Sequence, residues 1–141
     1  MANEVTVTVA DVRPLQGAVI RRACATEALA FGDVVYIDSA TGAIPNVSKC
    51  VPGTLATGHM FGIVVSGNLA GTSVAAGEAC DVVVLGPVTG YSGMTPGATI
   101  WASSDSAGRL STAVGSKSTI VGLAESASTV LVRPAQVVRS T

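Results

Sequence analysis

Short runs of apolar residues, several of them alternating with polar ones, occupy most of the chain. In residues 4–9 (EVTVTV), valines alternate with Glu and Thr, which is the two-residue period of a strand with one buried face. Further runs follow at 18–24, 32–38, 61–67, 81–88, 98–103, 118–126, 129–134 and 136–138. Gly, Pro and Ser separate them, and the one helix-favouring stretch, 22–30, is too short for more than a turn. The pattern predicts an all-β fold, a compact small barrel or a sandwich of short strands.

A three-residue step from an apolar side chain to a glycine recurs at three predicted turns. The steps run from Leu29 to Gly32, from Val74 to Gly77 and from Met94 to Gly97. Glycine supplies the backbone conformation that a tight turn requires. We therefore expect each apolar side chain to pack beneath its turn.

Longer segments also recur in the same order. Tyr36 and Trp101 each follow a turn glycine by four residues. FGIVVS at 61–66 then resembles VGLAES at 121–126, and DVVVLGPV at 81–88 resembles TVLVRPAQVV at 129–138. These matches predict a degenerate internal duplication with halves at about 29–88 and 94–138. The alternative is that unrelated turn–strand–turn units look alike, and both interpretations give the same small β fold.

Charged side chains are scarce. They make up 12% of the 141 residues, with a net charge of −1, whereas an average soluble domain has about 25%. Because no basic surface is available to neutralise phosphates, we do not expect nucleic-acid binding. Residues 50–77 lack charged side chains, but Pro52 and six glycines make a membrane-spanning helix a poor prediction. The first residues contain neither a basic nor an apolar segment, so we expect no secretory signal.

The sequence offers little catalytic or metal-binding chemistry. His59 is the one histidine, and no nucleophile elbow, phosphate-binding loop or dinucleotide fingerprint occurs. Asp33 and Asp105 lie at predicted turns, where Asp commonly bonds nearby backbone. The three cysteines are widely spaced and form no CxxC pair, so buried free thiols are a better interpretation than a zinc site: Cys24, Cys50 and Cys80. We predict no enzyme activity, no metal and no cofactor.

The N-terminal residues precede the first repeated segment. We expect residues 1–17 to form an extended arm and residues 18–141 to form a single β domain. An arm with alternating Val and Thr can add as a strand to a sheet edge of another protein. The binding residues predicted on this arm are Val5, Val7, Val9, Val12, Arg13, Pro14 and Leu15. The alternative is that residues 4–9 form the first strand of the domain's own sheet.

Four stretches of small residues carry a family resemblance. They are RPLQGAVIRRACATEALAFGDVVYIDSATG (13–42), VVVLGPVTG (82–90), TPGATIWASSDSAGRLS (95–111) and STIVGLAESASTVLVRP (118–134). In order and spacing they resemble the capsid decoration (cement, or head-stabilising) proteins of tailed bacteriophages. The similarity covers residues 13–134, which is most of the chain.

The resemblance implies a small-barrel or β-tulip-like body that forms homotrimers, or other small oligomers, on the outside of an icosahedral head. It implies binding at junctions between major capsid protein subunits after head expansion, which stabilises the shell against internal DNA pressure. On this basis the arm residues named above are expected to bind the capsid. The protein is expected to be made in the host cytoplasm and to reside on the outer surface of the virion. No catalytic residue, cofactor, membrane or small-molecule substrate is implied.

The alternative function is a glycan- or receptor-binding β module on a phage head or fibre. Sugar-binding sites usually present aromatic platforms, and the candidates are Tyr91 and Trp101. However, we expect Trp101 to pack in the core opposite Tyr36.

Overall fold

The computed structural model describes residues 4–50, 60–67, 71–103, 106–113, 117–133 and 138–140. Regular structure in these residues consists of fifteen strands and one 3-10 turn, Val9–Asp11. The strands are β1 (Thr6–Val7), β2 (Arg13–Pro14), β3 (Val19–Ala25), β4 (Leu29–Ala30), β5 (Val34–Thr41), β6 (Ile44–Lys49), β7 (Gly62–Gly67), β8 (Ser73–Val74), β9 (Ala79–Thr89), β10 (Tyr91–Ser92), β11 (Thr99–Ala102), β12 (Leu110–Ser111), β13 (Lys117–Ala124), β14 (Thr129–Val132) and β15 (Val138–Ser140). The all-β prediction is confirmed.

Five strands close into a barrel in the order β9, β3, β6, β5, β7 and back to β9. All neighbours are antiparallel except β3 and β6, which pair in parallel. Fully buried β-branched side chains come from four of these strands: Val34, Val35, Val47, Ile63, Val64, Val82 and Val83. Such side chains pack well on pleated surfaces, and their removal from water is the main force holding the barrel together.

Strand β9 is long enough to take part in both the barrel and the sheet beside it. Its first seven residues pair with β3 and β7 inside the barrel, and its last four pair with β14. Beyond β14 the sheet continues through β13, β11 and β12. One continuous strand therefore joins the barrel to the sheet beside it.

The predicted internal duplication is visible in the strand pairing. In the first unit (β5, β6, β7 and β9), β5 pairs with β6 and β7, and β7 pairs with β9. In the second unit (β11, β12, β13 and β14), β11 pairs with β12 and β13, and β13 pairs with β14. The register also agrees, since Val35 lies opposite Gly62 and Ile100 lies opposite Gly122. Shared strand order and register favour an internal duplication over a chance similarity between unrelated turn–strand–turn units.

Equivalent backbone hydrogen bonds fix the turn that precedes each unit. The Gly32 N–H donates to Val64 O at 2.8 Å, and the Gly97 N–H donates to Ala124 O at 2.7 Å. Both glycines are in the left-handed region, with φ of 96° and 86°. The apolar residues three positions before the turn glycines are buried, as predicted: Leu29, Val74 and Met94.

Gly62 and Gly122 occupy the same position in the two units. A Cβ at Gly62 would lie 2.2 Å from Val83 O, and one at Gly122 would lie 1.9 Å from Leu131 O. These distances are well inside van der Waals contact. The strands can therefore approach only because these positions carry no side chain.

The N-terminal segment is not an extended arm over residues 4–15. Glu4 forms an antiparallel bridge with Ser111, β1 pairs with β10, and β2 pairs with β9. Val5 and Val12 are buried, each with 6% of its surface exposed. Extension into solvent would expose both valines and break these backbone pairings, which is unfavourable. The segment thus belongs to the domain's own sheets; residues 1–3 lie outside the described part of the chain.

Candidate functional site

The structure divides the seven predicted binding residues into buried and exposed groups. Val5 and Val12 are buried, and the half-buried members are Val7, Val9 and Pro14. Arg13 and Leu15 are exposed, Leu15 with 38% of its surface accessible. Of the seven, Arg13 and Leu15 are therefore the ones able to present most of their side chain to a partner.

An exposed apolar strip continues from Leu15 onto the barrel. Val19 on β3 lies directly opposite Leu85 on β9, and they are 46% and 49% exposed. Ile20 follows with 44%. Leu15 is held beside them because its N–H donates to Pro87 O at 3.0 Å, two residues beyond Leu85. Leu15, Val19, Ile20 and Leu85 are termed the apolar strip; exposed apolar side chains that lie near one another along paired strands are candidates for an interaction surface.

The hairpin formed by β5 and β6 carries two further exposed apolar residues. Ile37 and Ile44 are 47% and 44% exposed, and every residue between them is exposed. The hairpin therefore stands clear of the packed part of the barrel.

A hydroxyl network fixes the base of this hairpin. The Asp38 carboxylate accepts hydrogen bonds from the hydroxyls of Thr26 at 2.8 Å, Ser39 at 2.8 Å and Ser48 at 2.5 Å. Desolvation alone would raise the pKa of Asp38, but the three donors favour the ionised form and hold the pKa below its usual value. The carboxylate acts as a structural anchor for the hairpin.

A polar cleft of about 340 Å³ lies where the N-terminal segment crosses the end of β9. Its polar side chains come from Thr8, Asp11, Arg13, Thr89 and Ser128. Gly90 and Tyr91 complete the lining. The cleft lies at the link between the two units, close to the apolar strip along the chain but different from it in chemistry.

The aromatic candidates for a sugar platform do not form one. Tyr91 is buried, and its hydroxyl donates to Gly32 O at 2.9 Å. Burial also raises the pKa of Tyr91 far above its ordinary value. The expectation that Tyr91 is available to a ligand as a stacking platform is wrong, because the ring belongs to the core. Trp101 is half-buried rather than a core residue, and Tyr36 holds the equivalent place in the first unit.

The cysteines have the character of packing residues. Cys50 and Cys80 are buried free thiols, as predicted, and Cys24 is half-buried. Burial raises the pKa of Cys50 to about 12 and that of Cys80 to about 11. Both thiols are therefore protonated at neutral pH and are weak nucleophiles.

Other candidate chemistry is sparse in the part of the chain that the structure describes. No three His, Cys, Asp or Glu side chains come together there as a metal site. His59 and Asp105 lie outside the described residues. Across those same residues, no helix has the length and apolar character to cross a membrane.

Asp33 is buried at the turn before β5, with 6% of its surface exposed. Its carboxylate accepts a hydrogen bond from the Ala30 N–H at 2.9 Å, which is the turn role that the sequence predicts. Burial raises the pKa of Asp33 because the ionised form is poorly solvated there. Asp33 stabilises the turn through this hydrogen bond, and the free energy required to bury its ionised form makes that stabilisation depend on pH.

Comparison with protein-family models, with curated proteins and with solved structures finds no match to this chain. What the protein does is therefore inferred from its own sequence and surfaces.

The sequence pattern does not single out Val19, Ile20 and Leu85 as contact residues. Apolar residues are consecutive in the runs 18–24 and 81–88, so alternation cannot tell which of them face outward. One signal was nonetheless present. Two arginines follow Ile20 directly, and adjacent charges in a short strand indicate that this part of it is exposed.

Proposed function

We propose that the protein is a capsid decoration protein. It binds the outer surface of an expanded phage head at junctions between major capsid protein subunits, and it stabilises the head against the pressure of packaged DNA. The observation that carries this proposal is the apolar strip, which gives a chain with few charges a defined surface for contact with another protein.

The strip has the chemistry of a protein-binding surface. Its members are aliphatic, and Val19, Ile20 and Leu85 lie on the barrel strands β3 and β9, whereas Leu15 lies just before β3. Val19 and Leu85 are adjacent through strand pairing. A protein partner can cover such side chains and exclude water from them. Nucleic acid is a poor partner for the same surface, because its binding depends on phosphate neutralisation.

The proposed action is mechanical. A decoration protein that bridges neighbouring capsid subunits adds contact area across the joints that open first under internal pressure. In a homotrimer, a subunit that detaches is held close to its site by the other two and rebinds. Because the contacts are mainly apolar, we expect binding to change little between roughly 0.05 and 0.5 M NaCl.

The contact surface is tested by cosedimentation of the purified protein with expanded empty heads of the phage that encodes it. The test variant is Val19→Ser combined with Leu85→Ser. It removes two aliphatic side chains from the strip, so we expect affinity for heads to fall by about tenfold or more. The matched control is Ile37→Ser combined with Ile44→Ser, which removes similar side chains from the hairpin and should bind as the unmodified protein does.

The outcomes separate the surface from the function. Equal binding by both variants and the unmodified protein contradicts the assignment of the strip. Loss of binding by the hairpin variant alone would assign the capsid contact to the β5–β6 hairpin instead of the apolar strip. Failure of the unmodified protein to bind expanded heads contradicts the proposed function itself.

A further inference from the structure

The polar cleft is built by three segments that backbone hydrogen bonds hold in place. The Thr8 N–H donates to Gly90 O at 2.8 Å, and the Tyr91 N–H donates to Ser128 O at 3.2 Å. Arg13 pairs with Thr89 across β2 and β9. The walls are therefore fixed before any ligand arrives, which limits the ordering that binding requires.

The lining is also rigid at Tyr91. This side chain is 5% exposed, and its hydroxyl is fixed by the bond to Gly32 O described above. A rigid cleft of about 340 Å³ matches the lower end of the range in which small-molecule sites occur, about 300–1,000 Å³. One sugar ring with its substituents is a ligand of suitable size.

Arg13 supplies the cleft with a cation. Within the described part of the chain an ion pair joins Arg22 to Asp81 at 2.9 Å, and Arg13 forms none. Its side chain is exposed and lines the cleft. A guanidinium presents paired N–H donors whose geometry matches a carboxylate.

The remaining polar groups favour a ligand that carries hydroxyl groups as well as an anionic group. The Thr8 hydroxyl can both donate and accept. The Thr89 hydroxyl donates to Ser128 O at 3.4 Å, and the Ser128 hydroxyl lies 3.4 Å from that of Ser126, so both act toward a ligand mainly as acceptors, as does the Asp11 carboxylate. Asp11 offsets the charge of Arg13, so a dianion such as phosphate is disfavoured. A ligand that satisfies this set has one carboxylate together with several hydroxyl groups.

We propose that the cleft binds a carboxylated sugar, with the carboxylate on Arg13 and ring hydroxyls on Asp11 and the neighbouring Thr and Ser side chains. The site is separate from the apolar strip, so it goes beyond the proposed attachment to a phage head. The cleft borders the strip along the chain, because Arg13 lies two residues before Leu15.

The test is a titration of the purified full-length chain followed by NMR, with the amide signals of Gly90 and Tyr91 as reporters. The probes are glucuronate, glucose and acetate. Glucuronate should shift both signals in a saturable way. Glucose offers the hydroxyls without the carboxylate, and acetate offers the carboxylate without the hydroxyls. Each should therefore bind at least tenfold more weakly than glucuronate.

Two variants assign the contacts. Arg13→Gln should weaken glucuronate binding by about tenfold, since a charge-assisted bond is lost. The control Arg21→Gln removes an exposed arginine outside the cleft and should leave glucuronate binding unchanged. Thr89→Val, which retains the shape of the side chain, should weaken binding by a smaller factor.

Three results would overturn the proposal. Absence of saturable shifts with glucuronate would show that the cleft does not bind a carboxylated sugar. Equal affinity for acetate and glucuronate would show that Arg13 pairs with any carboxylate and that the sugar hydroxyls are not recognised. Equal loss in Arg13→Gln and Arg21→Gln shows that binding follows net charge and not the cleft. None of these measurements involves phage heads, so they leave the proposed decoration function untouched.

Discussion

The two units share a strand order and register but differ in what covers them. In the first unit, β3 completes a closed barrel, and the β5–β6 hairpin projects with Ile37 and Ile44 exposed. In the second unit, β11 and β12 are short, and the N-terminal segment covers the edge of β12. There the Val5 N–H donates to Leu110 O at 3.0 Å. Among the described residues, all large exposed apolar side chains lie in the barrel or in the segment leading into it, and none lies in the second unit.

This difference indicates that the two copies of the motif have different roles in the molecule. Both units keep the glycine turn and the close strand approach, because the fold depends on them. Among the described residues, large exposed apolar side chains occur on the barrel and on the segment before it but not on the second unit, and such side chains are costly in solution unless a partner covers them. The second unit and the N-terminal segment act as support for the barrel.

The largest expected effect comes from the glycines that the units share. Gly62→Ala and Gly122→Ala each place a Cβ against a backbone carbonyl, at 2.2 Å and 1.9 Å. Separation of the paired strands should lower the free energy of unfolding by at least about 3 kcal/mol in both variants. Urea denaturation measures this loss.

A control for these variants is Gly93→Ala. Gly93 has a φ of 84°, but no atom lies within 4 Å of its Cβ position, so backbone strain alone should cost about 1 kcal/mol. Losses at both sites no larger than that at Gly93 would contradict the close strand approach, and a small loss at only one of them would contradict their structural equivalence.

Deletion of residues 1–12 tests the support given by the N-terminal segment. It removes buried Val5 and Val12 together with the backbone pairing to β10 and β12. We expect the free energy of unfolding to fall by about 3 kcal/mol, with a matching drop in the thermal midpoint. An arm that serves only to reach a partner could be deleted without changing the stability of the body, and that result would contradict the observed packing.

Sequence reasoning succeeded where the pattern itself fixes the structure. Leu29 and Met94 before their glycine turns, and the paired segments around Gly62 and Gly122, predicted both turns and the duplication. It failed at β6, where Pro45, Asn46 and Ser48 interrupt the apolar run, although pairing with β5 and β3 makes the segment a strand.

Neither the packing of the N-terminal segment nor the composition of the apolar strip could be predicted from the pattern, and the reasons are related. Alternation at residues 4–9 shows that one face is buried but not which protein buries it. The consecutive apolar residues around Leu85 carry no alternation, so the outward-facing members emerge only from three-dimensional packing. The cleft joins Arg13 to Ser128, which are far apart in sequence.

The smallest expected effect is a dependence of stability on pH through Asp33, which has the apolar equivalent Ala98 in the second unit. Because the folded pKa of Asp33 lies above the ordinary value of 3.8, the folded state binds more protons than the unfolded state between these two pKa values. Stability is therefore lost as pH rises through that window. Asp33→Asn has no such titration, so its stability relative to the unmodified protein should increase from pH 3.5 to pH 7. Urea midpoints at the two pH values measure the change, and a constant or decreasing difference would contradict the burial of an ionised Asp33.

The central claim is that the barrel attaches this protein to the outside of a phage head through its apolar strip. The most direct measurement is a cryo-electron microscopy reconstruction of intact particles of the phage that encodes it. The account predicts density for the protein on the exterior, at junctions between major capsid protein subunits, with Val19 and Leu85 facing the shell. Particles with no such density on their outer surface would contradict it.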